Sequence, residues 1–225
     1  MKKLISCILI FAALLALAVP AWAEDAAPFV ELAAESGRLD DVIRLRNDGS
    51  EQDMIDDWMD LRVILAVSDL GLVKRNGPIY TTFESIYIAE AIAHNEDAAA
   101  TYYGAETEVP FLFIRIAYTV ENRGEKAVTM PKGSDYAWIV TNDGEISKCR
   151  IGVRSGKTVP GRLEPGESGS ANLFFYCYDT LADYFTFFSM FVERPVLDDG
   201  ARYGPKLGLC FELLENAEEQ AKAAP

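Results

Sequence analysis

Residues 111–128 read FLFIRIAYTVENRGEKAV. Leu112, Ile114, Ile116, Tyr118 and Val120 share one parity, while Arg115, Thr119 and Glu121 take the other. A period of two sends alternate side chains to opposite faces of an extended chain, so this stretch is a half-buried strand. Asn122, Arg123 and Gly124 then turn it. Working outward, Tyr136–Thr141 reads as a strand centred on Trp138, and Asn142, Asp143 and Gly144 as a hairpin into a strand over Glu145–Val153. Ala171, Leu173, Phe175 and Cys177 alternate in the same way, and Leu207, Leu209, Phe211 and Leu213 form a last strand. Tyr184–Val192 is aromatic on both faces, which suits a central strand covered on both sides or one flanking a hydrophobic contact surface. Upstream, Ile86, Ile88 and Ile92 set a strand over Phe83–Ile92 with Tyr87 opposite, and Asn95–Glu108 reads as a long surface loop. Short alternating runs separated by turn residues predict a mainly β protein, an antiparallel sandwich or barrel.

Residues 24–77 differ in character. Phe29–Ser36 suggests a short helix. Within Asp53–Leu70, Met54, Trp58, Leu61, Ile64 and Leu65 stand at helical intervals behind an acidic start of Glu51, Asp53 and Asp56. The expectation is a helical appendage that packs Trp58 onto the sandwich. The organisation read from the sequence is therefore an export signal over 1–23, a helical segment over 24–77, a sandwich over 78–215 and a flexible tail over 216–225.

The export signal rests on Lys2 and Lys3, an apolar run from Leu4 to Val19, Pro20, and the small-x-small triplet Ala21, Trp22, Ala23. The run is shorter than the roughly 20 residues of a spanning helix, and no later stretch is long enough, so the cleaved chain is expected to have no transmembrane segment and to be periplasmic or secreted. Leu4, Ile5, Ser6 and Cys7 resemble a lipid-attachment box, but they begin the apolar run instead of ending it. The full chain carries a net charge of −14, and loss of the two signal lysines leaves −16. Such acidity opposes nucleic acid, whose phosphates need Lys and Arg, and opposes anionic lipid for the same reason.

Most familiar chemistries lack their residues. His94 is the one histidine, which removes the usual base of a catalytic triad and the usual ligands of a histidine zinc site; in its polar stretch it reads as a solvated loop histidine. The stretch GVRSGKT at 152–158 falls one residue short of a phosphate-cradling loop, and GESGS at 166–170 misses the spacing of a nucleophile elbow. The pairs Asp40/Asp41, Asp56/Asp57 and Asp198/Asp199 fit no calcium loop and read as caps and solvating charges, the last pair as a turn with Gly200. No catalytic residue, metal or cofactor is expected. Cys149, Cys177 and Cys210 form no CxxC pair; in an oxidising compartment they suggest one disulfide and a leftover thiol, with three buried reduced thiols as the alternative. The aromatic set around 174–191 is the most suggestive remaining feature, and Tyr176, Tyr178, Tyr184 and Phe188 are the candidate contact surface.

The stretch at 111–128 resembles the signature strand and turn of bacterial secreted immunoglobulin-like domains of the telokin-like, immunoprotective extracellular antigen type. LEPGESGSANLFF, from Leu163 to Phe175, looks like the same family's Pro-Gly-Glu turn into a later strand. The resemblance covers about Phe83 to Leu214. It implies an immunoglobulin-like β-sandwich and a non-enzymatic role, since members are typically exported or lipid-anchored and mostly lack an assigned activity. Two departures are the missing lipid-attachment box and residues 24–77, which have no place in the pattern. The expected function is an exported binding or assembly-support module of the cell envelope whose partner is another exported or envelope protein. The alternatives are an envelope polysaccharide hydrolase using loop carboxylates, or a small-ligand or Ca²⁺ carrier.

Overall fold

The computed structural model describes residues 42–102, 104–154, 159 and 161–214. The expected export signal, the helix at Phe29–Ser36 and the tail over 216–225 lie outside these residues. Two β-sheets face each other. The larger has seven strands. Its order is β10 (Arg150–Val153), β12 (Ser168–Cys177), β6 (Phe111–Asn122), β5 (Ile79–Ala93), β3 (Met59–Val67) and β2 (Met54–Ile55), with β4 (Leu72–Asn76) also paired to β5. The smaller sheet runs β1 (Val42–Leu45), β14 (Leu207–Leu213), β13 (Phe187–Val192), β8 (Ala137–Thr141) and β9 (Ile146–Lys148). β1 lies parallel to β14 and the other pairings of both sheets are antiparallel. A short ribbon pairs β7 (Val128–Thr129) with β11 (Arg162–Leu163).

The alternation at 111–122 places β6 as expected. Leu112, Ile114, Ile116, Tyr118 and Val120 are fully buried between the sheets. Ile116 stands opposite both Ile86 and Leu173, and Ile114 opposite Ile88 and Phe175, so three neighbouring strands send apolar side chains into one layer. The smaller sheet answers with Phe188, Met190, Leu209 and Phe211. Burying side chains of this size contributes about 1.5–3 kcal/mol each, the main force joining the sheets. Asn122 closes the strand as a fully buried polar residue: its Nδ2 donates to the carbonyls of Lys126 (2.8 Å) and Leu163 (3.1 Å), and its Oδ1 accepts from Gly124 N–H (3.0 Å).

Three expectations are corrected. The helix over Asp53–Leu70 does not form; the segment is β2 and β3, integral to the larger sheet. A register shift between Val63 and Leu65 explains the misleading spacing. Met59, Leu61 and Val63 face outward, and beyond the bulge Leu65 and Val67 face the core, so a switched strand imitates a helical period. Glu145–Val153 is not one strand: it breaks at fully buried Cys149, leaving β9 in the smaller sheet and β10 in the larger. Within Asn95–Glu108 a one-turn helix, α1 (Glu96–Thr101), starts where Asn95 Oδ1 accepts from Ala98 N–H (2.9 Å).

Candidate functional site

Four connections meet at one end of the sandwich. Met59, which starts β3, pairs with Ala93, which ends β5; β6 starts and β12 ends at this same level. The β8–β9 hairpin and the 178–186 connection into β13 complete the end. Local polar bonds shape each piece. Asp56 Oδ1 accepts from the N–H of Trp58 (2.7 Å) and Met59 (2.8 Å), which holds its carboxyl below the usual range and forces Trp58 out at the tip of the β2–β3 turn. Glu145 accepts from the N–H of Tyr178 (2.7 Å), Asp179 (3.1 Å) and Thr180 (2.8 Å). Asn142 holds the carbonyl of Tyr184 and the N–H of Thr186, both at 3.1 Å. Arg62 of β3 reaches Glu90 (3.1 Å) and Asp183 (3.0 Å), tying the 3-10 turn at Ala182–Tyr184 to the larger sheet.

These bonds leave apolar side chains outside. Val42 and Val73 apart, the exposed large apolar residues among the described ones belong to this end: Met54, Ile55, Trp58, Val109, Ile146, Tyr178, Leu181 and Tyr184. Ile55 is 77%, Tyr184 72% and Leu181 61% exposed. Single exposed apolar residues are ordinary, whereas these are gathered at one end of the sandwich. The charged residues near them include Asp53, Asp56, Asp57, Asp60, Glu90, Glu106, Glu108 and Asp183, with Arg62 and His94 among them and Arg150 beside Tyr178. A cleft of about 200 Å³ opens beside β2, lined by Asp53, Ile55, Asp60, Leu61, Arg62, Glu90 and Ile92.

His94 follows the last residue of β5, part-exposed in the loop where it was expected, and it is paired there. Its Nδ1 lies 3.0 Å from Glu108 Oε1 and its Nε2 3.2 Å from Asp60 Oδ1, and these carboxylates push its pKa up. Its backbone N–H donates to Trp58 O (3.0 Å), so one residue fixes both the β2–β3 turn and the loop after α1.

The sequence candidates separate. Tyr178 and Tyr184 reach the surface at this end. Tyr176 is half-buried in an aromatic stack on the outer face of the larger sheet, with ring centroids 5.8 Å from Phe113 and 5.6 Å from Tyr102. Phe188 is fully buried, stacked on Phe211 at 5.0 Å and Phe185 at 6.0 Å, and is core instead of contact surface, because its parity in β13 points between the sheets. Sequence pattern does not find Ile55, Trp58 and Leu181: the helix expected over Asp53–Leu70 takes in the first two, and an isolated Leu in a polar connection carries no pattern. Of the two readings of the cysteines, the structure has the reduced one. Cys149, Cys177 and Cys210 are free thiols, and burial pushes the Cys149 thiol up to about 11 and raises Cys177 further. Among the described residues no three His, Cys, Asp or Glu side chains converge as a metal-holding group, and no helix is long and apolar enough to cross a membrane.

No protein-family model matches the chain, and no curated protein matches it in sequence. Solved structures do. A functionally unknown protein from Listeria monocytogenes EGD-e superposes with a TM-score of 0.53 at 13% identity, over 68% of this chain and 87% of that one. The yjhA protein from Bacillus subtilis gives 0.41 at 13% identity, over 66% of this chain and 100% of that one. An uncharacterized β-sandwich protein from Clostridium difficile 630 gives 0.31 at 14% identity, over 78% and 97%. Of these three, the first shares the fold, and at such identity the likeness extends to the fold alone.

Proposed function

We propose that the protein is an exported, non-enzymatic binding module of the immunoglobulin-like type that its 111–128 stretch resembles, and that the end of the sandwich carrying Trp58, Ile55, Leu181 and Tyr184 contacts another protein. The gathering of exposed apolar side chains at that end carries the proposal. Apolar side chains beside charged ones are the usual make-up of a protein interface. The absence of catalysis is favoured by how the polar groups there are used: Asp56, Glu145 and Asn142 hold backbone groups, and His94 and Arg62 are each held by two carboxylates. Export rests on the sequence of residues 1–23.

The test is photo-crosslinking in the producing cell from positions 58 and 184, with position 73 at the far end as control. Discrete adducts to one protein from 58 and 184, absent from 73, are expected. Equal labelling from all three positions, or none from 58 and 184, would overturn the assignment.

A further inference from the structure

We infer that the partner presents an extended basic segment that lies along β2 and sends a lysine or arginine side chain into the cleft beside it, resting on the assignment of this end as the contact surface. Three features meet here. First, β2 stands at the border of the larger sheet and is only two residues long, with Met54 and Ile55 both exposed. A border strand offers backbone donors and acceptors to an added strand, and short length and charge restrict which strand can be added. The charges around β2, from Glu51 to Trp58, are all acidic: Glu51, Asp53, Asp56 and Asp57. Those acids repel an acidic strand, including a second copy of this chain at net −14, and attract a basic one.

Second, the cleft continues this edge inward. Ile55, Leu61 and Ile92 give apolar walls for an alkyl stem, and Asp53 and Asp60 give carboxylates for a cationic head, Asp60 also lying 3.2 Å from His94 and Glu90 being taken by Arg62. The charge of Arg62 is met by Glu90 and Asp183, so it does not oppose an incoming cation. Third, the volume of about 200 Å³ suits one long side chain and falls below the roughly 300–1,000 Å³ of small-molecule sites.

The probes are short labelled peptides alternating valine with lysine, with serine or with glutamate, titrated against the full chain by fluorescence anisotropy. The lysine peptide is expected to bind, more weakly as salt is added, and the glutamate peptide not to bind. The double variant Asp53→Asn with Asp60→Asn is expected to weaken the lysine peptide about five-fold. Asn at 53 retains an oxygen to accept from Val63 N–H, which guards the fold. Ile55→Lys, at an exposed position, is expected to abolish binding, whereas Val73→Lys leaves it unchanged. Equal binding of the lysine and serine peptides, or insensitivity to both the double variant and Ile55→Lys, would overturn the inference. If the peptides fail while crosslinks from 58 and 184 persist, the basic-strand inference falls and the contact surface stands; if the crosslinks are absent too, both fall.

Discussion

Glu108 holds a backbone φ of +61°, the one positive value among described non-glycine residues, and its carboxylate lies 3.0 Å from His94 Nδ1. Left-handed backbone costs a side-chain-bearing residue roughly 1–2 kcal/mol. The conformation is held by Glu108 N–H donating to Ala93 O (2.8 Å) and by the pairing with His94. Glycine removes the steric cost that alanine keeps, and both lose the carboxylate. Glu108→Gly is therefore expected to be more stable than Glu108→Ala by about 1 kcal/mol in denaturant unfolding.

The same pair sets a pH dependence. Asp60 from β3, Glu108 from the loop after α1 and Asp56 from the β2–β3 turn all favour charged His94, so its folded pKa lies above the ordinary 6.5. A folded pKa above the unfolded one gives stabilisation that is fully present below about pH 6.5 and is lost as pH rises through the folded value. Thermal midpoints measured across that window should fall with rising pH in the native chain relative to His94→Gln. Parallel profiles would show that the pairing contributes nothing.

Phe174 lies across Gly152 of the neighbouring edge strand, so a methyl group at 152 would collide with the ring at Cε2. The ring also stacks on Phe113 at 5.9 Å, which limits its retreat. Gly152→Ala is expected to cost about 1–3 kcal/mol, and most of that loss should vanish in a Phe174→Ala background. Unfolding of the four proteins of this cycle measures the coupling.

Phe188 and Tyr184 differ in kind although they stand only four positions apart. Phe188→Ala opens a cavity between the sheets and should cost about 3–5 kcal/mol. Tyr184→Ala should leave stability within about 0.5 kcal/mol and weaken partner crosslinking instead. A comparable loss of stability in both would place Tyr184 in the packing.

Free thiols predict that reduction changes neither mass nor unfolding midpoint. In the folded protein Cys149 and Cys177 should react with a thiol reagent only as fast as the structure opens, and Cys210, part-exposed, should react first.

The local pattern was decisive wherever a strand keeps one face in the core along its length. β12 alternates without interruption, so parity alone identifies its buried residues; in β6 parity finds the face between the sheets, but Phe111, Phe113 and Ala117 on the other face are buried as well, the first two among Tyr102 and its neighbours. The turns at Asn122–Gly124 and Asn142–Gly144 follow because their conformations depend on near neighbours. β3 was misread because its bulge lets apolar residues face both sides, and only pairing with β5 distinguishes that from a helix. Cysteine pairing, the isolation of Phe188 from the surface, and the placement of Ile55, Trp58, Leu181 and Tyr184 at one end also required the tertiary structure. A contact surface built from loops distant in sequence has no period of its own. What brings those residues together is the burial of the strands behind them, a force that acts between segments and leaves no mark on any one of them.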